Sequence, residues 1–261
     1  MTVTATLTAT DITLRAGRRV ILDRVSLSAP AGALTAIVGP NGSGKTTLIR
    51  ALTGEVRHDG RVALDGQDIA GLSPAVLAGL RGVLPQASLL SFPFTVREVV
   101  RLGCDAAMTR PPSVETALAS VGLPGFEGRF YQELSGGEQQ RVQLARVLAQ
   151  VWEPVLNGRP RWLFLDEPVA SLDIGHQLTV MRLARDYARR GGGVVAVMHD
   201  LNLTALFADK VVLLHEGRIV AADTPRDVLT SETLSAAYGC RLRVGETPAP
   251  GVPFILPQTA A

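Results

Sequence analysis

A chain of 261 residues is long enough for one sizeable α/β domain or two small ones, and a core of that size folds without a disulfide or metal. Hydrophobic residues make up 46% and charged residues 19% of the sequence, which excludes the disordered and fibrous classes. The formal net charge of +2 is too small to indicate a nucleic-acid surface.

The cysteines and the N-terminus set further bounds. Cys104 and Cys240 lack metal-type spacing and are too few for a disulfide framework, so we expect free thiols in a reducing compartment. Residues 1–6 contain neither a basic segment nor an apolar core, and no run of roughly 18 apolar residues occurs. We therefore expect a chain that is neither secreted nor membrane-spanning.

The first third of the chain has mainly the pattern of β-strands. Alternation predicts strands between residues 7 and 29 with a turn at Ala16-Gly17, and a buried strand at 34–38 runs into a glycine-rich loop. A helix is predicted from Thr46. The other predicted elements here are short strands at 62–64 and 83–84 and a helix that begins at Ser73-Pro74.

From Thr95 to about residue 159 the pattern becomes helical. The pairs Thr95 with Glu98 and Ser135 with Glu138 have the spacing of reciprocal helix N-terminal caps. Strand and helix then alternate, which predicts a parallel sheet. These later elements are a strand at 162–165, a helix at 174–190, a strand at 194–198, a helix from Leu201 and a proline-rich peripheral tail at 248–257.

Residues 39–46 fit the pattern G-x-x-x-x-G-K-[ST] between a predicted strand and helix, as a phosphate-binding loop requires. Backbone N–H groups then face one anion, Lys45 reaches the β- and γ-phosphates, and the Thr46 hydroxyl ligates magnesium. Lys45 is one of only two lysines, the other being Lys210, which disfavours a chance glycine-rich turn. The nucleotide-binding residues expected here are Gly39, Pro40, Asn41, Gly42, Ser43, Gly44, Lys45, Thr46 and Thr47.

The strand at 162–165 ends in two acidic residues, Asp166 and Glu167. The carboxyl edge of a parallel sheet would place both beside the phosphates. We expect Asp166 to hold magnesium through its water shell and Glu167 to polarise an attacking water. An acidic helix cap is the alternative, and the phosphate loop makes it the poorer interpretation.

A second glycine pair, in residues 134–141, opens another helix and forms a second potential anion site, although an ordinary capped helix has the same pattern. This stretch resembles the signature of ATP-binding-cassette (ABC) ATPases. The motif order matches that family over nearly the whole chain: phosphate loop, Gln86, signature, acidic strand, Asp173 and His199. The resemblance implies an α/β P-loop NTPase of the ABC type, with a parallel-sheet catalytic core, an antiparallel β subdomain and a helical signature subdomain.

The resemblance also implies how the site works. Two cassettes pair head to tail, and the signature of one closes over magnesium ATP held by the other. Gln86 contacts magnesium or water and faces a membrane subunit, while His199 positions water and the γ-phosphate. The implied catalytic residues are Glu167, His199 and Gln86; the magnesium residues are Thr46, Gln86 and Asp166; the residues reaching the partner's nucleotide are Ser135, Gly136, Gly137, Glu138 and Asp173.

The same resemblance sets the domain organisation as one ABC ATPase domain over residues 1–261. We expect residues 1–94 and 160–245 to form the catalytic core with its β subdomain, 95–159 the helical subdomain, and 246–261 a peripheral tail.

One departure from the family concerns the aromatic residue near the end of the first strand that stacks on adenine. This chain has Leu14 and then Arg15, so apolar contact or a guanidinium plane would hold the base.

Residues 83–86, 91–100, 172–177 and 198–202 resemble the ABC subgroup that imports haem, ferric siderophores and cobalamin, and the long segment 148–162 looks most like haem importers. The implied partners are a second copy of the chain, an integral-membrane permease dimer and, indirectly, a periplasmic substrate-binding protein, at the cytoplasmic face of the bacterial inner membrane. No nucleic-acid partner is expected. Phe92 and Phe94 are interpreted either as core residues or as a socket for a permease helix.

Three alternatives remain at this point. The first is the same role in import of a ferric siderophore or cobalamin. The second is a soluble cassette ATPase acting on DNA or ribosomes, which the absence of a long coiled coil or a second cassette disfavours. The third is an ATP-binding module without catalysis, which the intact Glu167 and His199 oppose.

Overall fold

The computed structural model describes residues 5–86, 92–249 and 251–259. The strands are β1 (Thr6–Ala16), β2 (Arg19–Pro30), β3 (Leu34–Val38), β4 (Asp59–Leu64), β5 (Gln67–Asp68), β6 (Arg81–Leu84), β7 (Val155–Leu156), β8 (Arg159–Pro160), β9 (Trp162–Asp166), β10 (Gly193–Val197), β11 (Lys210–His215) and β12 (Arg218–Asp223). The α-helices are α1 (Lys45–Leu52), α2 (Pro74–Leu80), α3 (Val96–Asp105), α4 (Val114–Ser120), α5 (Gly136–Gln150), α6 (Ile174–Arg189), α7 (Leu201–Phe207), α8 (Pro225–Val228) and α9 (Ser231–Tyr238).

A six-stranded sheet in the order β12-β11-β3-β10-β9-β6 forms the centre of the fold. Its strands are parallel except β12, which pairs antiparallel with β11 at one edge. Strands β3, β9 and β10 are buried along their whole length, since both faces of the sheet are covered. Their carboxyl ends therefore meet at one edge of the sheet, where the predicted motifs follow them.

A four-stranded antiparallel sheet in the order β2-β1-β4-β5 packs on one face of the central sheet. Alternation along the central strands divides the interior into two clusters. Trp162 and Phe164 of β9 point toward α1 and the antiparallel sheet. Leu163 and Leu165 point the other way, into the cluster shared with the helical segment. The predicted combination of a parallel core and an antiparallel β layer is confirmed.

Both predicted capping arrangements are present. The Thr95 N–H donates to Glu98 Oε2 at 2.7 Å, and the Ser135 N–H donates to Glu138 Oε2 at 2.8 Å. The predicted helical stretch was wrong at its end, because α5 stops at Gln150 and residues 155–160 form the β7–β8 hairpin. That hairpin returns the chain to the central sheet at β9.

Several other expectations can be compared with the structure. The turn at Ala16-Gly17 and the helix beginning at Pro74 are confirmed. In the tail, a 3₁₀ turn (Pro257–Thr259) lies against α7, where Gln258 Nε2 donates to the Asn202 carbonyl at 3.1 Å.

Within the part that the structure describes, no helix has both the length and the apolar character needed to span a bilayer.

The exposure of Phe92 and Phe94, in the segment after β6, distinguishes the interpretation as core residues from the interpretation as a socket for a permease helix. Phe92 is 70% exposed, whereas Phe94 packs partly against the main core. Phe92 is therefore available at the surface, and Phe94 is in part a core residue. Ser91, in the segment 91–100 that resembles the importer subgroup, lies outside the described residues.

Cys104 and Cys240 are free thiols, as predicted.

Candidate functional site

The glycine-rich loop joins β3 to α1 at the carboxyl edge of the central sheet. Gly39 (φ 149°) and Gly44 (φ 103°) have backbone angles that favour glycine, and a Cβ on Gly39 would overlap the Leu214 carbonyl. Lys45 Nζ donates to the carbonyls of Gly39 and Pro40, at 2.9 Å each. These contacts hold the ammonium group at the mouth of the loop, in front of the first turn of α1.

Asp166, the last residue of β9, lies directly beside α1. Thr46 Oγ1 donates to Asp166 Oδ1 at 3.3 Å, and Asp166 is only 3% exposed. Burial, assisted by the charge of Glu167, raises the pKa of the Asp166 carboxyl to about 6, although the Thr46 hydrogen bond and the charge of Lys45 act in the opposite direction. Burial likewise lowers the pKa of Lys45, which the charges of Glu167 and Asp166 oppose.

The donor set at this point fits a magnesium ion. A hydroxyl and a carboxylate oxygen converge at Thr46 and Asp166, and hard oxygen ligands of this kind are those that magnesium takes in nucleotide sites. The buried Asp166 carboxylate also lacks full charge compensation from Lys45 alone, as its raised pKa indicates. A divalent cation beside it would supply the missing positive charge.

Glu167 and His199 form a close pair at the ends of β9 and β10. His199 Nε2 lies 2.6 Å from Glu167 Oε1, which corresponds to the Nε2–H tautomer donating to the carboxylate. The Glu167 N–H donates to the Val197 carbonyl at 3.2 Å, which fixes the start of the acidic loop on β10. Glu167 has a φ of 55°, a left-handed backbone conformation that is unusual for a residue with a side chain.

Most of these groups line one cleft of about 410 Å³, whereas Gly39, Pro40 and the buried Asp166 do not. Its lining residues are Arg19, Ile21, Asn41, Gly42, Gly44, Lys45, Thr46, Thr47, Gln86, Glu167 and His199. The structure thus brings together the loop, Gln86 and the Glu167–His199 pair, as the sequence predicted. Its volume leaves room for a polar ligand, and the backbone N–H groups of the loop residues in its lining suit phosphates.

The signature residues and Asp173 do not line this cleft. Ser135 caps α5 and is exposed, with its hydroxyl accepting from the Glu138 N–H at 3.3 Å. Asp173 caps α6, accepts from the His176 N–H at 3.0 Å, and has a side chain 71% exposed. The chain therefore carries a phosphate loop and a second, solvent-facing helix N-terminus in separate places.

The cleft also contains two residues that the sequence did not single out. Arg19 and Ile21, from the start of β2, lie beside Asn41 and Gly42. Leu14 packs partly against the second core cluster. The sequence indicated Arg19 only indirectly. It has Leu14 and not an aromatic residue near the end of the first strand, so the residue that contacts the base could not be identified from the sequence.

The fold and this site together define a P-loop nucleotide-binding protein with a separate signature helix. A family model described as ABC transporter matches residues 22–170, and the chain belongs to that family. It is accordingly an ATP-binding, ATP-hydrolysing member, in agreement with the family predicted from the motif order.

Curated relatives match over nearly the full length. The chain is 58% identical over 254 residues to "Hemin import ATP-binding protein HmuV" of Rhizobium etli, covering 95% of this chain and 96% of the relative. It is 60% identical over 256 residues to the protein of the same name from Jannaschia sp. strain CCS1, covering 97% and 95%. For the Rhizobium meliloti protein of that name the identity is 59% over 257 residues, covering 97% and 98%.

Solved structures show the same fold. A bacterial Atm1-family ABC exporter with ATP bound superposes with a TM-score of 0.75 at 29% identity, over 88% of this chain and 40% of the exporter chain. MJ1267, an ATP-binding cassette of an ABC transporter in its ADP conformation, gives a TM-score of 0.73 at 26% identity, over 93% of this chain and 99% of that cassette.

The electrostatics of Asp166 give a stability prediction. Because its folded-state pKa is raised, ionisation of Asp166 costs stability, and the cost grows as the pH rises from about 4 to about 6. Asp166→Asn keeps an acceptor for Thr46 and removes the charge. At pH 7 we expect this variant to have a free energy of unfolding about 1–3 kcal/mol higher than wild type, with the difference shrinking at pH 4.5.

Urea unfolding at both pH values measures this difference. Asp227→Asn, an exposed carboxylate on α8, is the matched control. An Asp166 variant less stable than wild type at pH 7, or equally stabilised at both pH values, would contradict the electrostatic interpretation.

Proposed function

We propose that the chain is the ATP-hydrolysing subunit of an importer for haem, and that it works as a head-to-tail dimer on a membrane permease. The observation that carries the catalytic part is the Glu167–His199 pair, 2.6 Å apart at the sheet edge that also bears the phosphate loop. The cargo is supported by the long match to relatives named hemin import ATP-binding proteins. Ferric siderophores and cobalamin are the alternative cargoes.

The phosphate loop binds the triphosphate of ATP. The residues we assign to this role are Gly39, Pro40, Asn41, Gly42, Ser43, Gly44, Lys45, Thr46 and Thr47. Backbone N–H groups and the N-terminus of α1 face the phosphates, and Lys45 exchanges its contacts with the Gly39 and Pro40 carbonyls for the β- and γ-phosphates. The buried Lys45 ammonium group then contacts negatively charged phosphates in place of neutral carbonyl oxygens.

Hydrolysis needs a water oriented toward the γ-phosphate. Glu167 accepts a hydrogen bond from that water and polarises it, while His199 fixes the carboxylate through its Nε2–H and faces the same cleft. Gln86 lines the cleft and supplies a further polar contact to water. Restricting the water in this way contributes to the rate because the reacting groups meet in one orientation.

Magnesium would be held by Thr46, Asp166 and Gln86. When bound with ATP it supplies positive charge to the phosphate oxygens. Asp166 contributes a carboxylate that its surroundings leave partly uncompensated, and Thr46 keeps that carboxylate oriented by hydrogen bonding.

The site is completed by a second copy of the chain. Ser135, Gly136, Gly137, Glu138 and Asp173 do not line the cleft of their own chain, and Ser135 and Asp173 are exposed. The α5 N-terminus offers backbone donors and positive potential, which suits the γ-phosphate of ATP held by the partner. A head-to-tail pair thereby contains two composite sites.

The remaining partners follow from the importer role. We infer that the helical subdomain, residues 95–159, which ends in the β7–β8 hairpin, and the exposed Phe92 face the permease at the cytoplasmic face of the inner membrane. A periplasmic substrate-binding protein would act on the far side. Residues 1–94 and 160–245 form the catalytic core with its β subdomain, and residues 246–261 form the peripheral tail.

We assign the adenine contact to Arg19 and Ile21. Both line the cleft together with Asn41, and both also line a second cleft with Pro40 and Ser43 that Glu167 does not line. The Arg19 guanidinium provides a plane on which a base can stack. This assignment replaces the aromatic residue that the family usually places near Leu14.

The Glu167→Gln variant tests the catalytic assignment. We expect ATP hydrolysis to fall by at least about 10²-fold, the scale of positioned base catalysis, while ATP binding persists and a closed dimer accumulates. Phosphate release, nucleotide binding and sedimentation measure the three properties. Glu232→Gln, an exposed carboxylate on α9, is the control. Normal turnover by the Glu167 variant would refute the assignment.

The Arg19→Ala variant tests the adenine contact. We expect ATP affinity to fall by about two- to fivefold, as loss of an exposed guanidinium–ring contact implies, while affinity for inorganic triphosphate stays the same. Arg18→Ala removes a neighbouring exposed arginine that does not line the cleft, and is expected to bind both ligands as wild type does. An equal loss for ATP and triphosphate would instead place Arg19 on the phosphates.

A further inference from the structure

A side chain of the signature helix touches the backbone of the acidic residue in the same chain. Gln140, in the second turn of α5, donates from Nε2 to the Glu167 carbonyl at 2.8 Å, across 27 residues of sequence. The other amide atom of Gln140, Oε1, is buried and has no hydrogen-bond partner among the described residues. The hydrogen bond to Glu167 is therefore the polar contact that orients this amide.

The Glu167 backbone needs support because of its conformation. Its φ of 55° is in the left-handed region, and the following Pro168 restricts the backbone of the preceding residue still further. The Val197 carbonyl holds the Glu167 N–H at 3.2 Å. On the other side, Gln140 and the more distant Ala170 N–H, at 3.4 Å, hold the Glu167 carbonyl.

The start of α5 lies directly on the rest of this loop. A Cβ added to Gly137 would stand 2.9 Å from the Ser171 carbonyl, so a larger residue there would push α5 away from the loop. From the other side, Gln177 of α6 donates to the carbonyls of Val169 and Leu172, at 3.3 and 3.0 Å. The loop from Glu167 to Asp173 is thus held between two helix N-termini.

We propose that Gln140 is a positioning residue for hydrolysis: its amide holds the left-handed backbone of Glu167, so that the carboxylate stays against His199. The inference rests on the proposed function, since it assigns Gln140 an effect only through the role of Glu167. It also links the two half-sites of a chain. The helix that carries Ser135 toward the partner's nucleotide is joined, through Gln140, to the carboxylate that serves the chain's own nucleotide.

The Gln140→Met variant removes the donor while keeping the length of the side chain. We expect kcat for ATP hydrolysis to fall by about three- to tenfold, the effect of losing one such hydrogen bond, with KM and ATP affinity within about twofold of wild type. Gln140→Glu, isosteric but with an acceptor facing the Glu167 carbonyl, is expected to lose at least as much and serves if the methionine variant folds poorly.

Gln143→Met is the matched control. Gln143 lies further along α5, outside the signature residues 134–141, donates from Nε2 to the Tyr131 hydroxyl at 3.1 Å, and has a buried Oε1 without a partner among the described residues, as Gln140 does. We expect its loss to change the unfolding midpoint by an amount similar to Gln140→Met while kcat stays within about twofold of wild type. Equal kcat losses in the two variants would reduce Gln140 to an anchor of α5 and overturn the proposal.

A double variant separates this proposal from the proposed function. In the Glu167→Gln background, Gln140→Met is expected to cause no further decrease in residual hydrolysis, because Gln140 acts through the Glu167 carboxylate. A full additional decrease would overturn the proposal. If Glu167→Gln is inactive and Gln140→Met has wild-type kcat, only the role of Gln140 fails. If Glu167→Gln itself turns over normally, the catalytic assignment fails instead.

Discussion

The whole site depends on three parallel strands that are buried on both faces and end at the same edge of one sheet. Because β3, β9 and β10 pair in register, the glycine loop, Asp166 and His199 emerge side by side although they are far apart in sequence. Burial on both faces makes these strands rigid, which fixes the relative positions of the groups at their ends. The helices and the antiparallel sheet serve this arrangement by covering the two faces.

The same edge concentrates charges that are costly to bury. Burial raises the pKa of Asp166 and lowers the pKa of Lys45, so it favours the neutral form of each group. The charge of Glu167 acts on both. Phosphates and a cation would relieve this unfavourable state, because each would find an opposite charge already in place. The strained Glu167 backbone adds a conformational cost, which contacts from β10 and α5 offset.

Features that depend on neighbouring residues in the chain could be predicted from the sequence. The loop, the acidic strand end and both capping boxes are patterns with direct physical reasons, and the structure places them as expected. The hairpin at 155–160 was missed because its strands of two residues each are too short to show a period. Its turn does have a sequence signal, since Asn157-Gly158, both with positive φ, is a pair typical of two-residue hairpin turns. Arg19 and Gln140 were missed because only the folded chain brings Arg19 into the cleft and Gln140 to the Glu167 carbonyl, which no spacing in the sequence encodes.

Each chain carries a phosphate loop that lines the cleft and an exposed signature serine that does not line it. The central claim is that hydrolysis needs the loop of one copy and the signature of another. Mixing inactive Lys45→Ala and Ser135→Ala variants measures this directly, since random pairing restores an intact site in heterodimers only. We expect recovery of roughly a quarter of wild-type activity in an equal mixture, because half of the dimers are mixed and each of these has one intact site of two. Activity that stays at the level of the separate variants would contradict it.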